Sequence, residues 1–383
     1  MPLVAWLVAC APAPERPDPG WSPPDPGTDY AVVEPDPDPP PEDTAPEPPP
    51  PPVEAESTDA GAWTGPARAL YGTGSFFLGH LYVVDPADGS ELFQIDTDGE
   101  TVVGCAGEAL GALVGSFSSS GVTLVDADGA PVLRDTWNNL TFPSAFTTLA
   151  DGGYLVADEG LPALKRYDAA GQPAGGIPLS SIADSDGLAE PRWLMRDGDG
   201  AVWVGVARYN QFIGGGSPLG GAIALIPAGA DAPSQTWPLG TDQNLSPLVV
   251  PHDGEVWLGT LGTVSGSAAN YDGRLLAFDL ETQELRAVLS DTAVWHVVAR
   301  ADGGGVWAME LLPDDTYRFT SVDWDGTVRR SLPWLSFATG LGVDADGMLW
   351  VADDSGLRIV DPADGSVVDV VHQGGVTSFR LCR

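Results

Sequence analysis

A short turn recurs seven times between residues 85 and 365 and constrains the fold more than any other feature of the sequence. Most copies read Asp-x-x-Gly or a close variant, and they begin at Asp85, Asp126, Asp168, Pro227, Asp279, Asp323 and Asp361. The spacings between copies are 41, 42, 59, 52, 44 and 38 residues. Glycine supplies the positive φ that a tight hairpin between two strands requires. A repeat of this length built from short strands predicts one structural unit per copy.

These repeats predict an all-β fold, a seven-bladed β-propeller over residues 61–383. The first repeat begins directly at its second strand, near Leu70, and one strand at 376–380 is left over after the last repeat. We therefore expect the C-terminal strand to close blade 1, which removes exposed sheet edges. A ring of six blades is the main alternative. Four tryptophans share one strand position, and we expect them to pack between blades.

The stretch 11–60 predicts a disordered tether rather than part of the propeller. Half of the 36 prolines lie between Pro12 and Pro52, and residues 11–60 carry 13 acidic residues against one basic residue, Arg16. Such a composition cannot bury a core, and proline and self-repulsion favour extended chain. The formal charge of the whole chain is −37, which argues against a nucleic-acid partner.

Residues 1–10 form an apolar segment that ends in Leu7-Val8-Ala9-Cys10. This ending resembles the lipobox of bacterial lipoproteins. The resemblance implies lipidation of Cys10, a membrane anchor, and, because Ala11 follows the cysteine, the outer membrane or cell surface of a Gram-negative envelope. No basic residue precedes Arg16, so the front of a signal peptide would lie upstream. The alternatives are an N-terminal strand or a chance apolar decamer.

The propeller region resembles the broad group of NHL, gluconolactonase and streptogramin-lyase propellers. Residues 146–158 and 341–353 carry the resemblance, which covers 67–383 and implies fold more strongly than function. Streptogramin lyases place a basic His on an inner strand and a metal-linked Glu beyond the next turn. By that resemblance His296 and Glu310 are the candidate catalytic residues of a metal-dependent lyase or lactonase. The alternative is that His296 is a buried structural residue.

Three acidic residues occupy equivalent strand positions and form the candidate metal site. Asp158, Glu310 and Asp353 each lie three residues beyond the aligned Trp position, and similar heights near the channel would suit Ca²⁺ or Mg²⁺. The alternative is that they are solvated strand ends. The Asp-x-Asp-Gly turns lack the further ligands of an EF-hand, so we expect hairpin turns there. No cofactor is firmly predicted.

The two longest loops predict a ligand-binding face. Residues 207–221 and 260–273 belong to adjacent repeats, and propeller geometry places them on the same rim as the links between blades. The candidate binding residues on this rim are Trp137, Asn139, Arg192, Arg208, Tyr209, Phe212 and Tyr271. Aromatic residues, Asn and Arg are typical of adaptable recognition surfaces, so the leading interpretation is a non-enzymatic binding or scaffold module for a protein or glycan. Tolerated insertions are the alternative.

Cys105 and Cys382 are the two cysteines outside the lipobox. The strand assignment places Cys105 on the inner strand of blade 2 and Cys382 at the end of the strand that closes blade 1. Because these strands are neighbours in the ring, and an extracytoplasmic compartment permits oxidation, we expect a disulfide between them.

Overall fold

The computed structural model describes most of the chain from Trp63 onward. The described residues are 63–75, 78–97, 99–115, 120–137, 142–184, 187–210, 215–216, 220–240, 243–262, 264–265, 268–269, 272–313 and 316–383. The signal segment (1–10) and the tether (11–60) therefore lie outside the described residues. No helix long and apolar enough to cross a bilayer occurs in the part of the chain that is described.

The described chain forms seven four-stranded antiparallel sheets, each a blade with strands A to D ordered from the channel outward. Blade 1 contains β1 (Arg68–Ser75), β2 (Leu78–Val84) and β3 (Glu91–Thr97). Blade 2 contains β4 (Glu100–Ala106), β5 (Ala109–Gly115), β6 (Ser120–Val125) and β7 (Pro131–Trp137). Blade 3 contains β8 (Pro143–Thr148), β9 (Tyr154–Asp158), β10 (Ala163–Tyr167) and β11 (Pro173–Pro178). Seven blades are thus confirmed against the alternative of six.

Blades 4 and 5 each carry an additional two-stranded hairpin between strands B and C. Blade 4 comprises β12 (Pro191–Arg196), β13 (Val202–Val206), β16 (Ala222–Ile226) and β17 (Gln235–Pro238), with the hairpin β14 (Tyr209–Asn210) and β15 (Gly215–Gly216). Blade 5 comprises β18 (Gln243–His252), β19 (Glu255–Gly262), β22 (Arg274–Asp279) and β23 (Leu285–Ser290), with the hairpin β20 (Val264–Ser265) and β21 (Ala268–Ala269).

The ring is closed by the C-terminal strand. Blade 6 comprises β24 (Ala293–Ala299), β25 (Gly305–Leu311), β26 (Tyr317–Asp323) and β27 (Val328–Trp334); blade 7 comprises β28 (Ala338–Val343), β29 (Leu349–Asp353), β30 (Gly356–Val360) and β31 (Val367–Gln373); and the last strand is β32 (Ser378–Cys382). Strand β32 pairs with β1 and becomes strand A of blade 1, with Phe379 opposite Tyr71. The predicted closing strand is confirmed, although it begins and ends two residues later than the expected 376–380.

Large aromatic side chains fill the space between neighbouring blades, as the sequence predicted. Trp203 of blade 4 stacks on Trp237 at 5.5 Å between ring centroids and packs edge-on against Phe278 of blade 5. Trp350 of blade 7 stacks on Phe379 of the closing strand at 6.2 Å. Burial of these rings in the wedge between twisted sheets joins blade 4 to blade 5 and blade 7 to blade 1.

The two ends of the propeller differ in their connections. We call the end with the A–B and C–D turns the turn rim, and the end with the B–C loops and the blade-to-blade links the hairpin rim. On the turn rim, Asp344 Oδ1 accepts hydrogen bonds from the backbone N–H groups of Asp346 and Met348, and its Oδ2 accepts one from Trp350 Nε1 at 2.9 Å. Asp197 bonds Trp203 in the same way. Both Asp residues stabilise hairpin turns, and for the Asp-x-Asp-Gly turn at 344–347 this was the prediction.

Candidate functional site

Glu310, the candidate metal-linked catalytic residue, has both carboxylate oxygens hydrogen-bonded within blade 6. Its side chain is 1% exposed and accepts hydrogen bonds from Thr292 and Thr320. Arg318 lies directly opposite on β26 and donates to both carboxylate oxygens, with Nη2 at 2.5 Å and Nε at 3.1 Å. Burial alone raises the pKa of Glu310, but these hydrogen bonds outweigh burial and leave the pKa lowered.

Asp353 and Asp158 are likewise buried and bonded within their own blades. Asp353 Oδ1 accepts a hydrogen bond from Gly356 N at 3.0 Å, and its Oδ2 pairs with Arg358 Nη1 at 2.7 Å. Asp158 Oδ1 accepts one from Gly160 N at 2.8 Å. Each carboxylate therefore fixes the loop that follows its strand.

The predicted metal trio of Asp158, Glu310 and Asp353 does not converge on the channel. Within the described ranges, no three His, Cys, Asp or Glu side chains come together as a group that could hold a metal ion. Each acidic side chain instead accepts its hydrogen bonds within its own blade. The prediction of a shared Ca²⁺ or Mg²⁺ site at these residues is corrected accordingly.

His296 is a buried neutral residue that the structure does not join to Glu310. Burial, together with the charge of Arg380, lowers the pKa of His296 to about 3. Its Nδ1 has no hydrogen-bond partner among the described protein atoms. The Glu310 oxygens are bonded by Arg318, Thr292 and Thr320 instead. The structure therefore places the two candidate catalytic residues of the lyase resemblance in separate hydrogen-bond environments.

The two arginines of the predicted binding face serve the fold rather than a surface. Arg208 is only 8% exposed, has a φ of 50°, and donates from Nε to the carbonyl oxygen of Ile182 at 3.0 Å. Burial lowers its pKa. Arg192 pairs with Glu159, which is itself buried, at 2.9 Å. The assignment of Arg192 and Arg208 to an exposed recognition surface was wrong, because each satisfies a buried polar group.

The structure describes only some of the other predicted binding residues. Trp137 ends β7 and Tyr209 begins β14, both at the hairpin rim. Asn139, Phe212 and Tyr271 lie outside the described residues. The two hairpins do occupy the same rim of adjacent blades, as the loop lengths predicted.

The structure joins Cys105 of β4 to Cys382 of β32 in a disulfide. Their Cα atoms are 6.2 Å apart, and the bond closes a sequence separation of 277 residues. It connects the last strand of the chain to blade 2 near the turn rim. Cys10, the predicted lipidation site, lies outside the described residues.

The central channel holds a cavity of about 360 Å³, and its lining is the feature that sequence reasoning missed. Strands A of all seven blades contribute to its wall, and Trp63 lies at its end on the turn rim. Residues from the middle of the wall are Phe146, Thr147, Trp193, Leu194, Leu248, Val298, Leu341, Arg380 and Leu381. The signal in the sequence was Arg380, a charged residue on a strand that was assigned to the innermost position of a blade.

Comparison with known proteins supports the fold alone. No protein-family model and no curated protein matches the sequence. Solved structures with a similar fold include a periplasmic gluconolactonase from Pseudomonas aeruginosa, with 16% identity, a TM-score of 0.56, and coverage of 83% of this chain and 99% of that one. AztD from Citrobacter koseri matches at 12% identity and a TM-score of 0.53, covering 82% and 97%. A streptogramin B lyase matches at 12% identity and a TM-score of 0.50, covering 78% and 94%.

Proposed function

We propose that this chain is an envelope-anchored binding propeller without catalytic activity of its own. In this proposal a lipid on Cys10 holds the protein at the outer membrane or cell surface, and the hairpin rim binds a protein or glycan partner. The observation that carries the proposal is the pair of hairpins on blades 4 and 5, which extend beyond the four-stranded frame of adjacent blades on one rim. Loops held by a rigid scaffold are where binding sites concentrate.

The described chain begins at the end of the propeller opposite the two hairpins. Trp63, the first described residue, pairs with Gly107 in the A–B turn of blade 2 and therefore lies on the turn rim. The acidic groups that an enzyme of this fold would use are meanwhile engaged inside their blades, with Glu310 the best example.

Cross-linking in intact cells tests the proposal. We expect the wild-type chain in the membrane fraction, and Cys10→Ala in the soluble fraction. Replacement of residues 211–214 and 263–271 by short Gly-Ser links should abolish the cross-link to the partner, whereas Asp346→Ala on the turn rim should preserve it. Retention of the cross-link in the double hairpin variant would contradict the binding face. Stoichiometric divalent metal together with lactone or ester turnover would instead favour a metal-dependent lactonase or lyase.

A further inference from the structure

The link between blades 6 and 7 exposes two large apolar side chains on the hairpin rim. This link joins β27 to β28 and contains Leu335 and Phe337, which are 87% and 59% exposed. Among the described residues, Leu335 is the most exposed of the large apolar side chains. Isolated exposed apolar residues are common on protein surfaces, but two of them in one short link form a candidate contact site.

Contacts with both blades hold the link in place. The carbonyl oxygen of Phe337 accepts a hydrogen bond at 3.2 Å from the backbone N–H of Asp354, in the B–C turn of blade 7. The Phe337 ring packs edge-on against Tyr317 of blade 6, at 5.8 Å between ring centroids. Tyr317 and Trp334 lie opposite each other on β26 and β27, and both are buried. The exposed pair is therefore presented by a preorganised surface, which lowers the entropic cost of binding.

The arginines near this rim are engaged within the fold. Three form ion pairs with buried carboxylates, and two donate to backbone carbonyl oxygens; they are Arg192, Arg318 and Arg358 in the first group, and Arg208 and Arg274 in the second. By contrast, Asp291 and Asp354 are exposed on the links and turns of the same rim. Because each ion pair is neutral overall, the charge offered to a partner is negative, like the formal charge of −37 of the whole chain.

Exposed apolar groups on a negatively charged surface narrow the class of partner. Like charge disfavours a second copy of this chain, an acidic glycan and an anionic membrane surface. The Leu335 side chain has no group that could hydrogen-bond to the hydroxyls of a neutral glycan. A protein segment that carries Lys or Arg beside an apolar side chain complements both features, because interfaces bury apolar anchors and keep charged groups at their edges.

We propose that the hairpin rim binds a basic protein segment, which packs an apolar side chain against Leu335 and Phe337. The positive charges of the segment face the acidic residues of the rim, which steer the encounter. This inference rests on the proposed function, because it replaces the open choice of a protein or glycan by one class of partner. It also extends the binding face from the hairpins of blades 4 and 5 to the link between blades 6 and 7.

Calorimetric titration of the folded full-length protein with three short peptides tests the proposal. The probes are the end-capped hexapeptides Lys-Lys-Leu-Leu-Lys-Lys, Lys-Lys-Ser-Ser-Lys-Lys and Glu-Glu-Leu-Leu-Glu-Glu. Only the first, the Lys-Leu peptide, combines apolar side chains with positive charge. We therefore expect it to bind at least about tenfold more tightly than either of the others.

A double variant locates the binding site. Leu335→Ser with Phe337→Ser should weaken binding of the Lys-Leu peptide by about tenfold or more and leave binding of the Lys-Ser peptide unaffected. The matched control is Val328→Ser with Val368→Ser, which changes two exposed apolar side chains on the outer strands of blades 6 and 7. The control protein should bind the Lys-Leu peptide like the wild type.

Equal affinity of the wild-type protein for the Lys-Leu peptide and for either other peptide would overturn the proposal. Unchanged Lys-Leu affinity in the folded double variant would overturn it as well. If the double variant does not fold, a photoreactive leucine in the Lys-Leu peptide decides the matter in the wild-type protein. Its adducts should map to Tyr317 or to residues 334–337, and adducts confined to other residues would contradict the site.

These measurements do not depend on the cross-link in intact cells that tests the proposed function. Loss of that cross-link in the double hairpin variant can occur whether or not the peptides bind at Leu335 and Phe337. Peptide binding can likewise fail while the hairpins still bind a partner. The two proposals can therefore fail separately.

Discussion

The two rims of the propeller are stabilised by different means. On the turn rim, Asp197 and Asp344 repeat one arrangement, in which a single carboxylate bonds the turn backbone and the indole of the following strand. On the hairpin rim, the buried carboxylates differ in their partners: Glu310 pairs with an arginine and two threonines, whereas Asp158 and Asp353 bond N–H groups of the loop that follows their strand. The repeated hydrogen-bond arrangement fixes the turn geometry, so the turns tolerate little change in sequence or length. The arrangements on the hairpin rim differ between blades, so each blade can carry a different loop. This difference supports the proposal that the turn rim is scaffold and that the hairpin rim binds the partner.

Removal of the Cys105–Cys382 disulfide near the turn rim should cause the largest loss of stability. Double substitution of Cys105 and Cys382 by Ser removes a bridge that closes 277 residues. The chain-entropy model then gives a loss on the order of 5 kcal/mol in the free energy of unfolding, which is an upper figure. Urea unfolding under non-reducing conditions measures this loss. Cys10→Ser is the matched control and should leave the unfolding midpoint of the propeller unchanged.

The Glu310 cluster is expected to be the strongest single polar contribution at the hairpin rim. Glu310→Gln removes the charge that pairs with Arg318, whose side chain is 41% exposed and therefore partly screened. We expect a loss of roughly 2–3 kcal/mol in the free energy of unfolding. Glu284→Gln, an exposed change of the same kind, should have no measurable effect. An unfolding midpoint for Glu310→Gln equal to the wild type would show that the cluster does not stabilise blade 6.

His296 should make the stability of the propeller depend on pH. Its pKa is about 3 in the folded chain, compared with about 6.5 when unfolded. The unfolded chain therefore binds a proton first, and stability falls as the pH drops below about 6.5. At pH 5 this contribution amounts to about 2 kcal/mol relative to neutral pH. His296→Gln should reduce the difference in unfolding free energy between pH 7 and pH 5 by that amount, whereas His80→Gln should preserve it.

Disruption of a single hairpin turn on the turn rim should cause a smaller loss of stability. Asp344→Ala removes one acceptor of the turn N–H groups and of the Trp350 indole, which becomes unsatisfied in a buried position. We expect a loss of about 1–2 kcal/mol in the free energy of unfolding. Asp346→Ala changes an exposed residue of the same turn and should cost less than about 0.5 kcal/mol. Equal effects of the two substitutions would mean that the Asp344 contacts do not stabilise the rim.

The sequence predicted the parts of the molecule that follow from repetition. The blade number, the turns and the closing strand all follow from the repeated spacing, and the same register brings Cys105 and Cys382 to neighbouring strands. The sequence did not predict which groups the individual polar side chains would hydrogen-bond or pair with. Arg318 lies directly opposite Glu310 on the next strand, and this cross-strand position was the available signal for an ion pair rather than a metal ligand.

Loops were harder to interpret than strands, because their path is set by tertiary contacts. Arg208 follows a strand and precedes a long loop, which is a pattern typical of exposed recognition residues. Its positive φ turns the side chain back onto the carbonyl oxygen of Ile182, a contact that spacing cannot reveal. The inward position of Arg380 depends likewise on all seven strands around the channel.

The smallest effect on stability should come from the hairpins themselves. Replacement of residues 211–214 by a Gly-Ser link of two residues shortens the blade 4 loop and leaves its four main strands intact. Because loop closure depends only weakly on length, we expect the free energy of unfolding to change by less than about 0.5 kcal/mol. Insertion of the same two residues after Asp344, inside a turn with fixed geometry, should cost clearly more. If thermal unfolding showed the hairpin change to be as destabilising as the turn insertion, both rims would be scaffold, and the assignment of recognition to the hairpin rim would lose its physical basis.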